Sequence, residues 1–114
     1  MFLGSFFLSS LLNKEIKYNS ANYDFSNNIL HIFGDGSVDA EATKEYKSKT
    51  NEVYINESVE EIGDSAFKDF VNLQKVEITS TMKIINSYAF SGCNNLVTIT
   101  IPDTVTEFGD SILE

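Results

Sequence analysis

The stretch Ile62–Ile78, IGDSAFKDFVNLQKVEI, is restated 23 residues later as Ile85–Ile101, INSYAFSGCNNLVTITI. Several apolar positions keep this interval across the chain: Ile62, Ile85 and Phe108; Ala66 and Ala89; Phe67 and Phe90; Leu73 and Leu96; Val53, Val76 and Ile99; Ile55, Ile78 and Ile101; Val59, Met82 and Val105. The period runs from about residue 51 to residue 114. A fixed period of about 20 to 30 residues with apolar positions in register predicts a solenoid, in which each coil buries its apolar face against the next.

Each coil contains a short segment that alternates apolar and polar residues. In KVEI, residues 75–78, the alternation predicts a strand with Val76 and Ile78 inward and Lys75 and Glu77 outward. Stacked coils then form a parallel sheet. Its outer face is expected to carry two rows of side chains: Glu52, Lys75 and Thr98 beside Tyr54, Glu77 and Thr100.

A return segment follows Ile62 in one coil and Ile85 in the next. GDSAFKDF at 63–70 and NSYAFSGC at 86–93 place Ala and Phe side by side, which predicts a single helical turn. Gly63, Asn86 and Gly109 share one register. Because Gly and Asn enter the left-handed backbone region at the lowest cost, we expect a positive φ at this register.

These motifs carry a family resemblance. VYINESVEEIGDSAFKDFVNLQKVEI at 53–78 and TITIPDTVTEFGDS at 98–111 resemble the BspA-like, Treponema-type leucine-rich repeats, and NNILHIFGDGSV at 27–38 is similar to the hairpin that often precedes such arrays. The sequence departs from the pattern at three places: Thr79 stands where the next coil has Pro102, Phe70 stands where Cys93 does, and Ile112-Leu113 replaces Ala-Phe.

The predicted fold is therefore an α/β leucine-rich-repeat solenoid with 23-residue coils, short parallel strands and single-turn helices, preceded by a β-hairpin cap. We divide the chain into an apolar leader or cap segment at 1–20, a hairpin cap at 21–50 and repeats at 51–114, two full coils plus a partial one. The first residues, MFLGSFFLSSLL, fit either a signal peptide, although no Lys or Arg precedes them, or an apolar cap; they are too short to span a bilayer.

The resemblance implies an extracellular or surface-displayed recognition module that is not an enzyme, with a protein or glycan as its ligand. A cytoplasmic scaffold and a truncated repeat fragment stay open as alternatives, and a hydrolase that uses paired carboxylates is a remote third. The family's specificity lies in variable outward residues, so no functional residue is carried over by position. The residues expected to bind the partner are those of the strand face: Tyr54, Lys75, Glu77, Thr98 and Thr100.

Charge restricts the partners further. Acidic residues outnumber basic ones 17 to 8, for a formal net charge of -9. This balance disfavours nucleic acid and anionic lipid and suits a basic partner. The third coil stops in its return segment, GDSILE, which predicts self-association through an uncovered C-terminal coil, a longer parent protein, or a fragment.

The residues that could carry chemistry have simpler structural explanations, and we predict no catalytic, cofactor or metal site. Cys93 shares its register with Phe70 and is predicted to lie in the core. His31 alternates with Leu30 and Ile32, which predicts an outward strand position.

Three further patterns suggest ion or sugar binding only weakly. DGSVDAEATKEY at 35–46 lacks the Gly and bidentate Glu of an EF-hand, so Asp35-Gly36 is interpreted as a turn between strands. The acidic run 57–64 is expected to be solvated. The sequon at Asn56 matters only in a protein secreted by a eukaryote.

Overall fold

Two sheets run side by side through the molecule, which is described by a computed structural model for residues 19–114. The first sheet has the strand order β1-β2-β4-β6-β8 and the second has the order β3-β5-β7-β9. The strands are β1 (Asn22–Ser26), β2 (Ile29–Phe33), β3 (Asp35–Val38), β4 (Glu52–Ile55), β5 (Ser58–Ile62), β6 (Lys75–Ile78), β7 (Ile84–Ile85), β8 (Thr98–Thr100) and β9 (Glu107–Phe108). A short helix, α1 (Ala40–Thr43), continues into a 3-10 turn at Lys44–Tyr46.

The coils stack in the register that the sequence period predicts. β4, β6 and β8 are parallel, and Val53 lies opposite Val76, which lies opposite Ile99. In the second sheet, Ile62 lies opposite Ile85, which lies opposite Phe108. The solenoid with 23-residue coils and short parallel strands is therefore confirmed.

The core is a column of inward side chains between the two sheets. Val53, Ile55, Val76 and Ile78 are all at most 2% exposed, as the strand alternation requires. Phe67 stacks on Phe90 of the next coil, with the ring centroids 5.3 Å apart and an interplanar angle of 4°. Each such side chain contributes about 1.5 to 3 kcal/mol on full burial, so stability comes from contacts between consecutive coils.

The return segments differ from the single helical turns that the sequence suggested. Residues 64–69 and 87–92 are successive turns, in which the amides of Ala66, Lys68 and Phe70 donate to carbonyls three residues earlier. Alternate amides instead reach the next coil: Phe67 N donates to Ala89 O at 2.8 Å. An α-helix would use those groups internally, so the hydrogen bonds between coils favour the turns. The one helix in residues 19–114 is α1.

The positive φ angles expected at the register of Gly63, Asn86 and Gly109 lie elsewhere in the return segments. They fall two residues after Gly63, Asn86 and Gly109, at Ser65 (φ 60°), Tyr88 (φ 60°) and Ser111 (φ 53°).

Close approach between coils explains the small residues at the Gly63 register. A Cβ at Gly63 would lie 2.9 Å from Val38 O, and one at Gly109 would lie 2.3 Å from Ser87 N. Asn86 has a side chain at this register, and its Nδ2 donates a hydrogen bond to Ile62 O at 3.2 Å.

The hairpin that precedes the repeats is confirmed, but its turn is not Asp35-Gly36. Strands β1 and β2 are antiparallel, and they are joined at Asn27 and Asn28, with φ angles of 52° and 65°. Two consecutive positive φ angles suit the twist of a two-residue hairpin loop. Asp35 and Gly36 instead lie in β3, after a bend at Gly34 with a φ of 92°.

A coil upstream of residue 51 stacks in the same register. β2 pairs in parallel with β4. β3 pairs in parallel with β5, and the register of this pair shifts between Gly36 and Ser37. Here α1 replaces the tandem turns, and buried Thr43 donates its hydroxyl to Ala66 O at 2.5 Å. That hydroxyl replaces the backbone donor that a turn would have offered to the next coil.

Most of the predicted leader or cap at 1–20 falls outside the described residues, which begin at residue 19. Within 19–114, no helix combines the length and the apolarity that crossing a membrane requires.

Candidate binding surface

The predicted strand-face residues lie on one surface, the outer face of the first sheet. Lys75 is opposite Thr98, and Glu77 lies between Tyr54 and Thr100. The first sheet turns its apolar residues inward and leaves Thr98 and Thr100 exposed. Since neighbouring strands lie about 4.8 Å apart, these side chains form a continuous surface. We call the set Tyr54, Lys75, Glu77, Thr98 and Thr100 the strand face.

Tyr54 is held between neighbours on both sides. The His31 ring stacks on it from β2, with centroids 5.4 Å apart and an interplanar angle of 19°. From β6, the Nζ of Lys75 lies 5.5 Å from the Tyr54 ring centroid. The Tyr54 hydroxyl donates to Oε1 of Glu52 at 2.6 Å. The Tyr54 ring thus has a neighbour from each adjacent strand, and its hydroxyl is hydrogen-bonded.

Charges on this surface are locally compensated. Lys75 Nζ lies 3.8 Å from Oε1 of Glu77, with both side chains about two-fifths exposed. Such an exposed pair adds little to stability. The Tyr54 hydroxyl, and then the carboxylates of Glu77 and Glu52, raise the pKa of Lys75. The hydrogen bond to Glu52 also raises the pKa of Tyr54, so Lys75 is a cation and Tyr54 a neutral donor at pH 7.

Two residues of this surface were not among the predicted binding residues. His31 was expected to face outward and does, but its place beside Tyr54 was missed. Glu52 was placed in the outer row, and its hydrogen bond to Tyr54 was missed. The interval that relates Leu30 to Val53 and Ile32 to Ile55 is the same 23 residues, which could have placed His31 next to Tyr54.

The thiol of Cys93 lies apart from the strand face. Cys93 is partly buried against the core, and its thiol donates to Phe67 O at 3.1 Å. Burial raises the pKa of this thiol to about 11, which makes it a poor nucleophile at neutral pH. In the part of the chain that the structure describes, no group of three or more His, Cys, Asp or Glu is arranged to hold a metal ion.

Asn56, the sequon residue, lies where the first sheet turns towards the second. Its Nδ2 donates to the Thr79 hydroxyl at 2.8 Å, and its backbone amide donates to Ile32 O. The side chain thus links two coils.

Comparison with known proteins supports the architecture. Residues 41–114 match the family model described as "BspA type Leucine rich repeat region (6 copies)". No curated protein matches the chain. The crystal structure of a leucine rich repeat protein from T. pallidum is similar, with a TM-score of 0.50 and 23% identity over 77% of this chain and 39% of that chain.

That structural likeness shows the fold, and this chain spans about two-fifths of the T. pallidum protein. The family model is the stronger finding because it covers well over half of the residues. The 23-residue coils, the two parallel sheets and this match agree, and the chain belongs to the BspA type leucine rich repeat family.

Proposed function

We propose that this protein is a non-catalytic binding module whose strand face contacts a protein partner outside the cell or at its surface. The observation that carries the proposal is the held ring of Tyr54, between His31 and Lys75. Tyr is enriched at protein interfaces. A side chain fixed before binding loses little conformational entropy when the partner arrives.

The same geometry favours a protein over a glycan. A sugar ring that stacks on an aromatic side chain needs an open π face, and the Tyr54 ring already stacks on His31 and lies near the ammonium of Lys75. The surface instead offers alternating charges at Lys75 and Glu77 and two exposed hydroxyls at Thr98 and Thr100. These groups suit the polar backbone and side chains of a protein surface.

Differential capture tests the proposal. The wild-type chain and a triple variant, Tyr54→Ala/Lys75→Ala/Glu77→Ala, would each be immobilised and exposed to surface and secreted proteins of the native host. We expect a ligand that binds the wild type and that binds the triple variant about tenfold or more weakly, since interface hot spots, in which Tyr is enriched, cost about 2 kcal/mol or more when truncated.

A matched control variant changes residues on the side of the second sheet. Glu60→Ala/Lys83→Ala also removes a carboxylate and an amine from the outside of the solenoid but leaves the strand face intact. This variant should retain the ligand. Equal retention by the triple variant would refute the strand face as the site. The absence of any specific ligand, on protein and glycan arrays alike, would favour a repeat fragment without an independent task.

A further inference from the structure

The chain has one histidine, and it lies in the first sheet directly beside the strand face. The His31 side chain is exposed on the outside of β2, between the buried Leu30 and Ile32. Its ring stacks on that of Tyr54 in β4, with the centroids 5.4 Å apart. Histidine is the side chain that ordinarily changes charge between about pH 5 and pH 8. The charge beside Tyr54 therefore changes in a mildly acidic medium.

Two carboxylates and a phenol face His31 from the neighbouring strands. Asp24 of β1 lies directly opposite it and is exposed. From β4 come Tyr54, directly opposite, and Glu52, two residues earlier on the same face. Side chains of directly opposite residues lie about 5 Å apart, so a proton gained by His31 places a positive charge between Asp24 and Tyr54. β5 contacts β2 from the second sheet and carries two further carboxylates, those of Glu60 and Glu61.

The stack of His31 on Tyr54 accommodates either charge state. A neutral imidazole packs on the Tyr54 ring, and an imidazolium is attracted by the electrons of an aromatic face. The Asp24 carboxylate attracts the imidazolium as well. Protonation of His31 should therefore change the charge of this surface and leave its shape intact.

The outer face of the first sheet is acidic at neutral pH. In the described strands, its charged side chains are the carboxylates of Asp24, Glu52 and Glu77 and the ammonium of Lys75. Three carboxylates against one ammonium leave two net negative charges, and a proton on His31 leaves one. An acidic surface is complementary to a protein segment that carries Lys or Arg. The complementarity is thus strongest while His31 is neutral.

We propose that His31 makes the strand face pH-sensitive, so that the face holds a basic protein segment at neutral pH and releases it when His31 gains a proton. This inference rests on the proposed function and adds to it the charge of the partner and the regulation of the site. A Lys or Arg of the partner that meets Tyr54 or Asp24 comes within about 5 to 7 Å of the imidazolium. In a medium with the dielectric constant of water, one like charge at that distance weakens binding about threefold.

Titration of a basic peptide into the isotope-labelled full chain, followed by NMR, tests the inference. The probe is the hexapeptide Arg-Ser-Arg-Ser-Arg-Ser, which in extended form reaches about 20 Å, close to the width of five strands. Spectra at pH 7.5 and pH 5.5, at low ionic strength where screening is weak, give the affinity and the amides that respond. Because His31 is the one histidine of the chain, its imidazole signals report its protonation without overlap.

We expect amides of β2, β4 and β6 to shift, and the dissociation constant to rise about threefold from pH 7.5 to pH 5.5. Two variants separate His31 from the carboxylates, which also gain some protons at the lower pH. His31→Gln stays neutral and should lose most of the pH dependence. His31→Lys is always a cation and should bind at pH 7.5 as weakly as the wild type does at pH 5.5. The side chain is exposed, so both variants should fold.

Equal affinity of the wild type at the two pH values, or an unchanged pH dependence in His31→Gln, would overturn the inference. Shifts confined to the second sheet, or no saturable shift at millimolar peptide, would overturn it too, because the strand face would then not select a basic segment. None of these results refutes the strand face as a protein-binding site. That proposal fails separately, when the triple variant retains a captured host protein as well as the wild type does.

Discussion

Tyr88 occupies a left-handed backbone conformation, with a φ of 60°, although it is neither Gly nor Asn. A bulky side chain in this region costs about 1–2 kcal/mol. We expect Tyr88→Asn to raise the free energy of unfolding by about 1 kcal/mol, measured by urea denaturation. Tyr88→Ala is the matched control, because it removes the same ring and its contact with Lys68 without favouring positive φ. Equal stability of the two variants would show that the backbone conformation is not the cause.

Cys93 should react slowly in the folded protein. Burial raises the pKa of its thiol from 9.0 to about 11, so the thiolate fraction at pH 8 falls about a hundredfold relative to the unfolded chain. Alkylation by iodoacetamide at pH 8 should be slower in buffer than in concentrated urea by about that factor. A comparable rate in both would mean that the return segment at 86–93 opens readily or that the thiol is exposed.

The same shift has a consequence for stability. The unfolded chain releases the Cys93 proton first, so folding stability should fall as pH rises from about 9 towards 11. Cys93→Ala removes the titrating group and should remove its share of that pH dependence.

At the scale of elements, the loop of the hairpin depends on Asn28 more than on Asn27. Both residues have positive φ angles, but the Nδ2 of Asn28 also donates to Lys49 O at 2.9 Å, while Asn28 O accepts from Asn51 N. Asn28→Ala should lower the free energy of unfolding by about 1–2 kcal/mol, through backbone strain and the lost hydrogen bond. Thermal denaturation followed by circular dichroism would measure it.

Two further variants apportion this loss. Asn28→Gly keeps the backbone freedom and loses only the side-chain bond to Lys49 O, so it should cost less than Asn28→Ala. Asn27→Ala should also cost less, because it only introduces strain. If Asn27→Ala proved more damaging than Asn28→Ala, the link from the hairpin to residues 47–50 would be unimportant.

The strands could be predicted from the sequence because their inward residues repeat without interruption. Val53 and Val76 fix the register of the sheet, and every coil must fit the one before it. The left-handed conformations of Ser65 and Tyr88 could not be predicted, because Ser and Tyr are not residue types that signal positive φ. The coil that contains α1 has a helix where the later coils have turns, and a bulge shifts its register after Gly36. Its sequence has Thr43-Lys44 in place of the Ala-Phe signature, so the repeat could not be extended upstream from the pattern alone.

The strand face illustrates the same limit on predicting a site. Alternation along β4 and β6 was enough to place Tyr54, Lys75 and Glu77 on one surface. The contact of His31 with Tyr54 depends on pairing between β2 and β4, outside the recognised period. The binding role of these residues stays a prediction that the capture experiment tests.

At the scale of the whole molecule, we expect local stability to vary along the stack, so that the coils do not unfold as a single unit. Solenoid coils are stabilised mainly by their immediate neighbours. Within residues 19–114, the buried hydrophobic residues all lie between Ala21 and Phe90, and residues 97–114 contribute only partly buried ones to the core, such as Ile99 and Val105. Local opening is easiest where few apolar contacts must be broken. We therefore expect a gradient of amide protection, highest in β4 and β6 and lowest in β8 and β9.

Hydrogen exchange followed by mass spectrometry tests that gradient. Peptides that cover Lys75–Ile78 should exchange at least about tenfold more slowly than those that cover Thr98–Thr100, although both strands alternate apolar and polar residues and pair in parallel. Phe67→Leu provides the decisive comparison. Phe67 contacts Phe70 and Phe90 in the middle of the stack, so its truncation should speed exchange in β6 more than in β8, which already opens locally. Uniform protection from β4 to β9, or equal acceleration of every strand in Phe67→Leu, would mean that the stack unfolds as one cooperative unit.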